Sequence, residues 1–447
     1  MRLSVTPPQG SQHDRRVGRN FLRLLKGRAA SALLMLASTA LMARSLSPED
    51  FGLVVLIHSY LLLVRGLVNL KPFEAIIRFG VPLLERKEMG RLAQLLRLTF
   101  AVDVVLAVIG LCLALLGVSL AGDYFNLDGE ARRVAGFYCL LLLASASGSA
   151  TGVLRLFNRF DLLGLRQAMG PLAQLCGVLV AWWYGGGYVS FVIAFGLGFF
   201  VEHVILNGFG YAELRRQQPG FQWRGELWTA QRERFPGLWR FLHIVYWQSN
   251  IDLVPKQISL LLVGALLGSA AAGLFRIAQQ VARVVSVPGL LLRQVLFPDL
   301  ARLWFRRDPM FHRLLGRTVL IALSVGVTVA LLSLAVGKDI IDALAGQDYL
   351  DATAVLSWLL LAAGLELGVA ALRAGGYAMG LAGSLLRASI LAIFVYVVAL
   401  LILSQSLGLP GVAIAVVGWT GVNLGAFAAI VLHRLKLTSF GSGPDPA

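Results

Sequence analysis

Charge is scarce in this chain. Only 14% of its 447 residues are Asp, Glu, Lys or Arg, whereas an ordinary soluble domain carries about 25%. A wetted surface for a chain of this length cannot be built from so few charges, so a water-soluble enzyme is excluded. Cysteine is scarcer still: Cys112, Cys139 and Cys176 all fall inside apolar runs, without metal-ligand spacing. They read as small buried hydrophobes. No Ser/His/Asp set, zinc-type cluster or nucleotide-binding glycine loop occurs, and Glu202-His203 lacks the HExxH spacing. No cofactor, metal or ATP hydrolysis is therefore expected. The polar start MRLSVTPPQGSQHDRRVGRN has no signal-peptide core, and GSGPDPA reads as a loose tail.

Apolar residues are what the chain has in excess, at 57% with a mean hydropathy of +0.74. They fall in runs of about 20 residues, the length that crosses a bilayer as a helix. The runs lie at 28–46, 52–70, 96–121, 133–153, 163–184, 188–211, 241–267, 270–298, 317–337, 352–372, 385–405 and 411–432. Backbone groups in hydrocarbon must satisfy one another, which makes each run a helix. The fold class is all-α integral membrane, with about twelve spanning helices.

The placement of charge tests that count. With the N-terminus in the cytoplasm, most of the 40 basic residues fall in cytoplasmic segments: up to Arg28, Lys71 to Arg97, Arg155 to Arg166, Arg215 to Arg240, Arg302 to Arg317, Arg373 to Arg387, and Arg434 with Lys436. The opposite links hold only Arg44, Arg132, Arg133 and Lys338, and are acidic instead, with Glu49, Asp50, Asp123, Asp128, Glu130, Asp339, Asp342, Asp348 and Asp351. This is the positive-inside bias. It places both termini in the cytoplasm and accounts for the net charge of +16 without nucleic acid, which would need one exposed basic face.

The chain also repeats on itself. A43-R-S-L-S-P-E-D-F-G-L53 resembles G264-A-L-L-G-S-A-A-A-G-L274, pairing Leu46 with Leu267, Gly52 with Gly273 and Leu53 with Leu274. Leu154-Arg155 after span four parallels Leu372-Arg373 after span ten. The expected organisation is a cytoplasmic tail (1–27), an N-lobe of six spans (28–211), a basic cytoplasmic link (212–240), a C-lobe of six spans (241–434) and a second tail (435–447). Transporters of this build bind substrate between their halves. The GxxxG patterns G264-A-L-L-G268, G148-S-A-T-G152, G376-Y-A-M-G380 and G421-V-N-L-G425 read as close helix packing. Trp182, Trp183 and Tyr184 read as an interfacial anchor. The link with Arg215, Arg216, Arg224, Arg232, Arg234, Trp223 and Trp228 suits an anionic inner leaflet or simple solvation.

Three segments carry a resemblance. L41-M-A-R-S-L-S-P-E-D-F-G-L53, P72-F-E-A-I-I-R-F-G80 and G273-L-F-R-I-A-Q-Q-V281 are similar to segments of polysaccharide repeat-unit flippases, of the multidrug/oligosaccharidyl-lipid/polysaccharide exporter superfamily. The resemblance implies a V-shaped, MATE-like pair of six-helix lobes in a bacterial inner membrane. It implies a substrate of oligosaccharide on polyprenyl pyrophosphate, flipped from the cytoplasmic to the outer leaflet. The partners expected are that lipid, the bilayer and other polysaccharide assembly proteins.

Candidate site residues come from charges inside the spans, which cost roughly 2.5–3.5 kcal/mol each on insertion scales and so face a wet cavity or a partner. Arg276, Gln280 and Arg283 share one helical face of span eight, and Arg65 sits in span two, its counterpart. Together they make a wall for an anionic headgroup, since arginine grips phosphate oxygens in pairs. Snorkelling is the competing account of Arg65, Arg276 and Arg293. Asp252 and Lys256 flank Pro255 in span seven and either neutralise each other or line the cavity. Glu202 and Glu366 are candidates for ion coupling, with a neutral buried carboxyl as the plainer account. The functional expectation is a flippase and not an enzyme. A cation-coupled multidrug exporter, a membrane-embedded glycosyltransferase or polymerase, and a scaffold for polysaccharide assembly are the alternatives.

Overall fold

The computed structural model describes residue 27 and residues 29–122, 127–221, 235–250 and 257–437. Asp123, Arg224, Arg232, Arg234, Trp223, Trp228, Asp252, Pro255 and Lys256 lie outside them. Of the described residues 90% are helical and none is in a strand. Among the described residues, eight helical segments are long and apolar enough to cross a membrane. The helices at spans one, five, seven and eight are not among these eight.

The helices are α1 (Ala29–Ala43), α2 (Pro48–Val68), α3 (Pro72–Glu85), α4 (Met89–Ala121), α5 (Gly129–Cys139), α6 (Gly148–Leu156), α7 (Phe160–Trp183) and α8 (Tyr188–Gln217). They continue with α9 (Leu238–Asn250), α10 (Ser259–Leu267), α11 (Ser269–Phe305), α12 (Met310–Ala345), α13 (Thr353–Ala378), α14 (Ala382–Leu407) and α15 (Leu409–Leu437). The described residues of the apolar runs lie mostly on helix, and several helices run past their run into the neighbouring link. The 33 residues of α4 reach about 50 Å, well beyond the roughly 30 Å of hydrocarbon.

The chain forms two compact units, Met1–Ser45 with Ile57–Leu253, and Leu46–Leu56 with Val254–Ala447. In the first, α7 and α8 run antiparallel in close contact. Gly170 abuts Glu202, Gly198 abuts Gln174 and Gly177 abuts Ala194, so small residues set the register. The segment read from sequence as a link at 71–97 holds a full helix, α3. It buries Ala75, Ile76, Gly80 and Leu83 on one face, and packs on α4 and α6. Span four is discontinuous: a 3₁₀ stretch at Leu140–Ser145 follows α5, and α6 restarts the helix at Gly148. Asp103 of α4 accepts the Ser149 N–H at 2.6 Å, occupying one of the donors that a helix start leaves free.

In the second unit α13 is central, packed against α11, α12 and α15. Gly326 of α12 and Gly364 of α13 bring their backbones into direct contact. Gly268 turns the chain between α10 and α11 at φ 89°, a left-handed conformation that suits glycine. The Leu46–Leu56 segment packs here as well. Gly52 lies against the Ser269 carbonyl and Gly273 against the Pro48 carbonyl. The spacing that relates Gly52 to Gly273 in the sequence repeat also relates Pro48 to Ser269, so the two repeat segments contact each other reciprocally, as in an isologous interface.

Candidate functional site

Helix α11 begins with small residues, Ser269 to Gly273, and turns polar one turn later. Arg276 is only 7% exposed and Gln280 4%. Arg276 Nη1 donates to Gln279 Oε1 at 3.3 Å, and Arg283 Nη2 donates to the same oxygen at 3.2 Å. One amide, at positions i+3 and i−4 from the two arginines, therefore holds both guanidiniums together. Neither has a carboxylate within ion-pair distance among the described residues. The expectation of Arg276, Gln280 and Arg283 on one face thus gains a fourth member, Gln279, which the helical spacing allowed but did not single out. Arg276 is buried, so it does not snorkel outward. Gln280 keeps a buried Oε1 with no hydrogen-bond partner.

Two guanidiniums bridged by an acceptor, with no carboxylate paired to them among the described residues, retain several donors each. Burying such a pair costs several kcal/mol per ion unless an anion completes it. The arrangement suits a phosphate or pyrophosphate, whose oxygens accept planar forks of N–H bonds.

In the other unit, Arg65 lies near the end of α2 with its guanidinium 5.6 Å from the centre of the Phe199 ring. Its Nε is buried and unpartnered. Glu202 is not isolated, as the sequence left it: Arg166 of α7 pairs with it at 2.7 Å. Arg166 had been counted as a link residue, so a partner from the next span was not visible. Glu366 occupies an exposed position on α13 and has interactions of its own. Trp183 and Tyr184 are 78% and 81% exposed at the end of α7, as an interfacial anchor requires. No cluster of metal-ligating side chains occurs among the described residues.

Outside the spans, Arg159 joins Asp161 at 3.2 Å and the buried Glu213 of α8. Partial burial pushes the Asp161 carboxyl up, but the hydrogen bond and charge of Arg159 outweigh this and hold it below its ordinary range.

A helical chain with spanning segments in two units and arginines buried within them is a multi-pass membrane protein with a transporter fold. The comparisons with known proteins make this specific. A family model described as polysaccharide biosynthesis protein matches residues 41–354, and the chain belongs to that family. It is 30% identical over 335 residues to the inner membrane protein YghQ of Escherichia coli K12, covering 73% of this chain and 92% of that one. Among solved structures it resembles the lipid II flippase MurJ in an inward closed conformation, with TM-score 0.72 at 14% identity, covering 90% of this chain and 86% of that one. It likewise resembles an inward-facing multidrug resistance MATE family transporter of the MOP superfamily, with TM-score 0.73 at 16% identity, covering 94% and 99%. At these identities the likeness establishes the fold, and the MATE-like class expected from sequence holds.

Proposed function

We propose that this protein is a flippase that moves oligosaccharide repeat units linked to polyprenyl pyrophosphate from the cytoplasmic to the outer leaflet of a bacterial inner membrane. It works by alternating access and serves the synthesis of a cell-surface polysaccharide such as O-antigen, capsule or exopolysaccharide. It performs no covalent chemistry. The observation that carries this reading is the Arg276–Gln279–Arg283 cluster, two intramembrane guanidiniums without a carboxylate among the described residues. Membership of the polysaccharide biosynthesis family supplies the sugar. A relative named as an inner membrane protein and a structural neighbour named as a lipid II flippase support the location and the lipid carrier. The basic bias of the links supports cytoplasmic termini.

The chemistry requires a protein because sugar hydroxyls lose their water partners in hydrocarbon. An exporter of cationic drugs would put carboxylates where α11 puts arginines. The test is the leaflet distribution of polyprenyl-linked oligosaccharide in cells with and without the protein. Deletion should strand the lipid on the cytoplasmic leaflet. An unchanged pool and distribution, accompanied by new drug sensitivity, would transfer the protein to the exporter class.

A further inference from the structure

Arg166 of α7 and Glu202 of α8 form the one ion pair that joins two helices among the described residues, at 2.7 Å. Glu202 lies in the middle of α8. Gly170 packs against its side chain, and Arg166, one turn before Gly170 on the same face of α7, reaches the carboxylate. The pair is not sealed: its side chains are 21% and 27% exposed, whereas Phe199 and His203 beside it are 6% and 1% exposed. Charges at mid-helix in a bilayer protein face the bundle interior or water, not hydrocarbon, so the open side of this pair meets polar surroundings.

A second arginine is under the influence of the same carboxylate. Glu202 is the strongest charge acting on Arg65, ahead of Arg166 and Asp103, and Asp103 is engaged by the Ser149 N–H. Phe199, one turn before Glu202 on α8, carries Arg65 over its face and His203 stacked at 4.2 Å. The charges of Arg65 and Arg166 both act on that histidine, so the four side chains belong to one group around the ring. Arg65 keeps a buried Nε without a hydrogen-bond partner. The α11 arginines share a neutral amide; Arg65 and Arg166 are served by an anion.

That difference has a chemical consequence. A carboxylate and a phosphate offer a guanidinium the same kind of acceptor, a pair of charged oxygens, so one can take the other's place. A pyrophosphate brings more oxygens and a second charge. A resident carboxylate therefore yields to it but goes on competing with it, which weakens binding and speeds departure. Transport needs this balance, because a site that holds its cargo too firmly does not let it leave.

We propose that Glu202 is a displaceable counter-anion, which occupies Arg166 in the empty protein, yields that arginine to the pyrophosphate, and reclaims it to release the headgroup. The proposal rests on the flippase reading and adds to it Arg166 as a headgroup residue and Glu202 as the release device.

The test combines a lipid-binding titration of purified protein with flipping rates in proteoliposomes, using polyprenyl pyrophosphate that bears one hexose. Glu202→Gln keeps an oxygen for Arg166 but loses the charge. It should bind the lipid on the order of tenfold more tightly and flip it several-fold more slowly at saturation, so that affinity and turnover move in opposite directions. Arg166→Gln should bind on the order of tenfold more weakly. Glu202→Asp, whose charge stands one methylene farther from Arg166, should fall between wild type and Glu202→Gln in affinity, and it decides the matter if Glu202→Gln does not fold. Glutamate variants that bind no more tightly than wild type would overturn the proposal. So would a Glu202→Gln protein of lower unfolding temperature whose affinity and turnover fall together, the mark of a purely structural bridge. Wild type that does not bind the lipid would overturn the flippase reading itself, whereas binding by wild type with unaltered affinity in the variants overturns the counter-anion alone.

Discussion

An arginine buried in a bilayer protein without a counter-charge trades stability for something else. Arg276 and Arg283 share one amide oxygen and no carboxylate among the described residues, so each still holds donors for a ligand. Two opposite effects follow for the Arg276→Ala/Arg283→Ala variant. Flipping should fall at least about tenfold, since a charge-assisted bond is worth roughly 1.5–3 kcal/mol. The unfolding temperature in detergent should hold or rise, because removing a buried pair that has no carboxylate partner among the described residues removes its desolvation cost. A well-expressed variant that flips at the wild-type rate would remove α11 from the site. Lysine at 283 keeps the charge but loses the planar fork, so Arg283→Lys should retain part of the activity and lose the rest. Gln279→Leu is sharper: it leaves both charges intact and removes only their common anchor. Its affinity for polyprenyl pyrophosphate should drop several-fold, measured by the same lipid-binding titration.

At the scale of elements, packing of small residues does what core hydrophobes do in water, because lipid gives helices little reason to associate beyond fit. Gly52 and Gly273 show this most directly, each against a carbonyl of the other segment. Gly52→Val should push these backbones apart and lower both yield and unfolding temperature, while Gly90→Val, where a β carbon meets nothing within 4 Å, should not. The polar counterpart is Glu213, 3% exposed and held by Arg159 and by Gln217 at 2.7 Å. Glu213→Gln strands Arg159 from its buried partner and should cost about 3 kcal/mol, the lower range for breaking a buried pair. Asp161 adds a pH dependence. Its folded carboxyl is held low, so its contribution to stability is complete above the unfolded value near pH 4 and is lost as pH falls further. The unfolding temperature of Asp161→Asn should therefore vary less than that of wild type below about pH 4.

Apolar length was legible in the sequence because hydropathy averages over a whole run and tolerates error at its ends. The described parts of the runs are mostly helical, and Arg276 and Arg283 of α11 share one oxygen. What stayed hidden depends on a neighbour. The Arg166–Glu202 pair joins two spans, and no periodicity within either reveals it. Gln279 was in plain view, but the spacing singled out Gln280, and only the Gln279 oxygen between two guanidiniums marks it. The break in span four is apolar on both sides, so hydropathy passes over it, and only the Asp103 bond to Ser149 marks where the helix restarts.

For the whole molecule the remaining question is what drives transfer in one direction. A flippase of the proposed kind moves a pyrophosphate outward across a membrane whose interior is negative. Two uncompensated charges crossing about 100 mV would gain roughly 4–5 kcal/mol, enough to bias the leaflets about a thousandfold. The cationic clusters themselves stay with the protein, so they lower the barrier for the headgroup without cancelling its charge over a full cycle. Proteoliposomes with an imposed potassium diffusion potential, negative inside, should therefore export the lipid from their inner leaflet faster than depolarised ones. Reversing the sign should slow that export. Sugar-free polyprenyl pyrophosphate should respond to voltage like the glycosylated lipid, since both carry the same charge. Transfer that ignores the potential in both directions would mean that the moving complex is electrically neutral. A cation or proton would then have to travel with each pyrophosphate, and the driving force would lie in an ion gradient instead of the field.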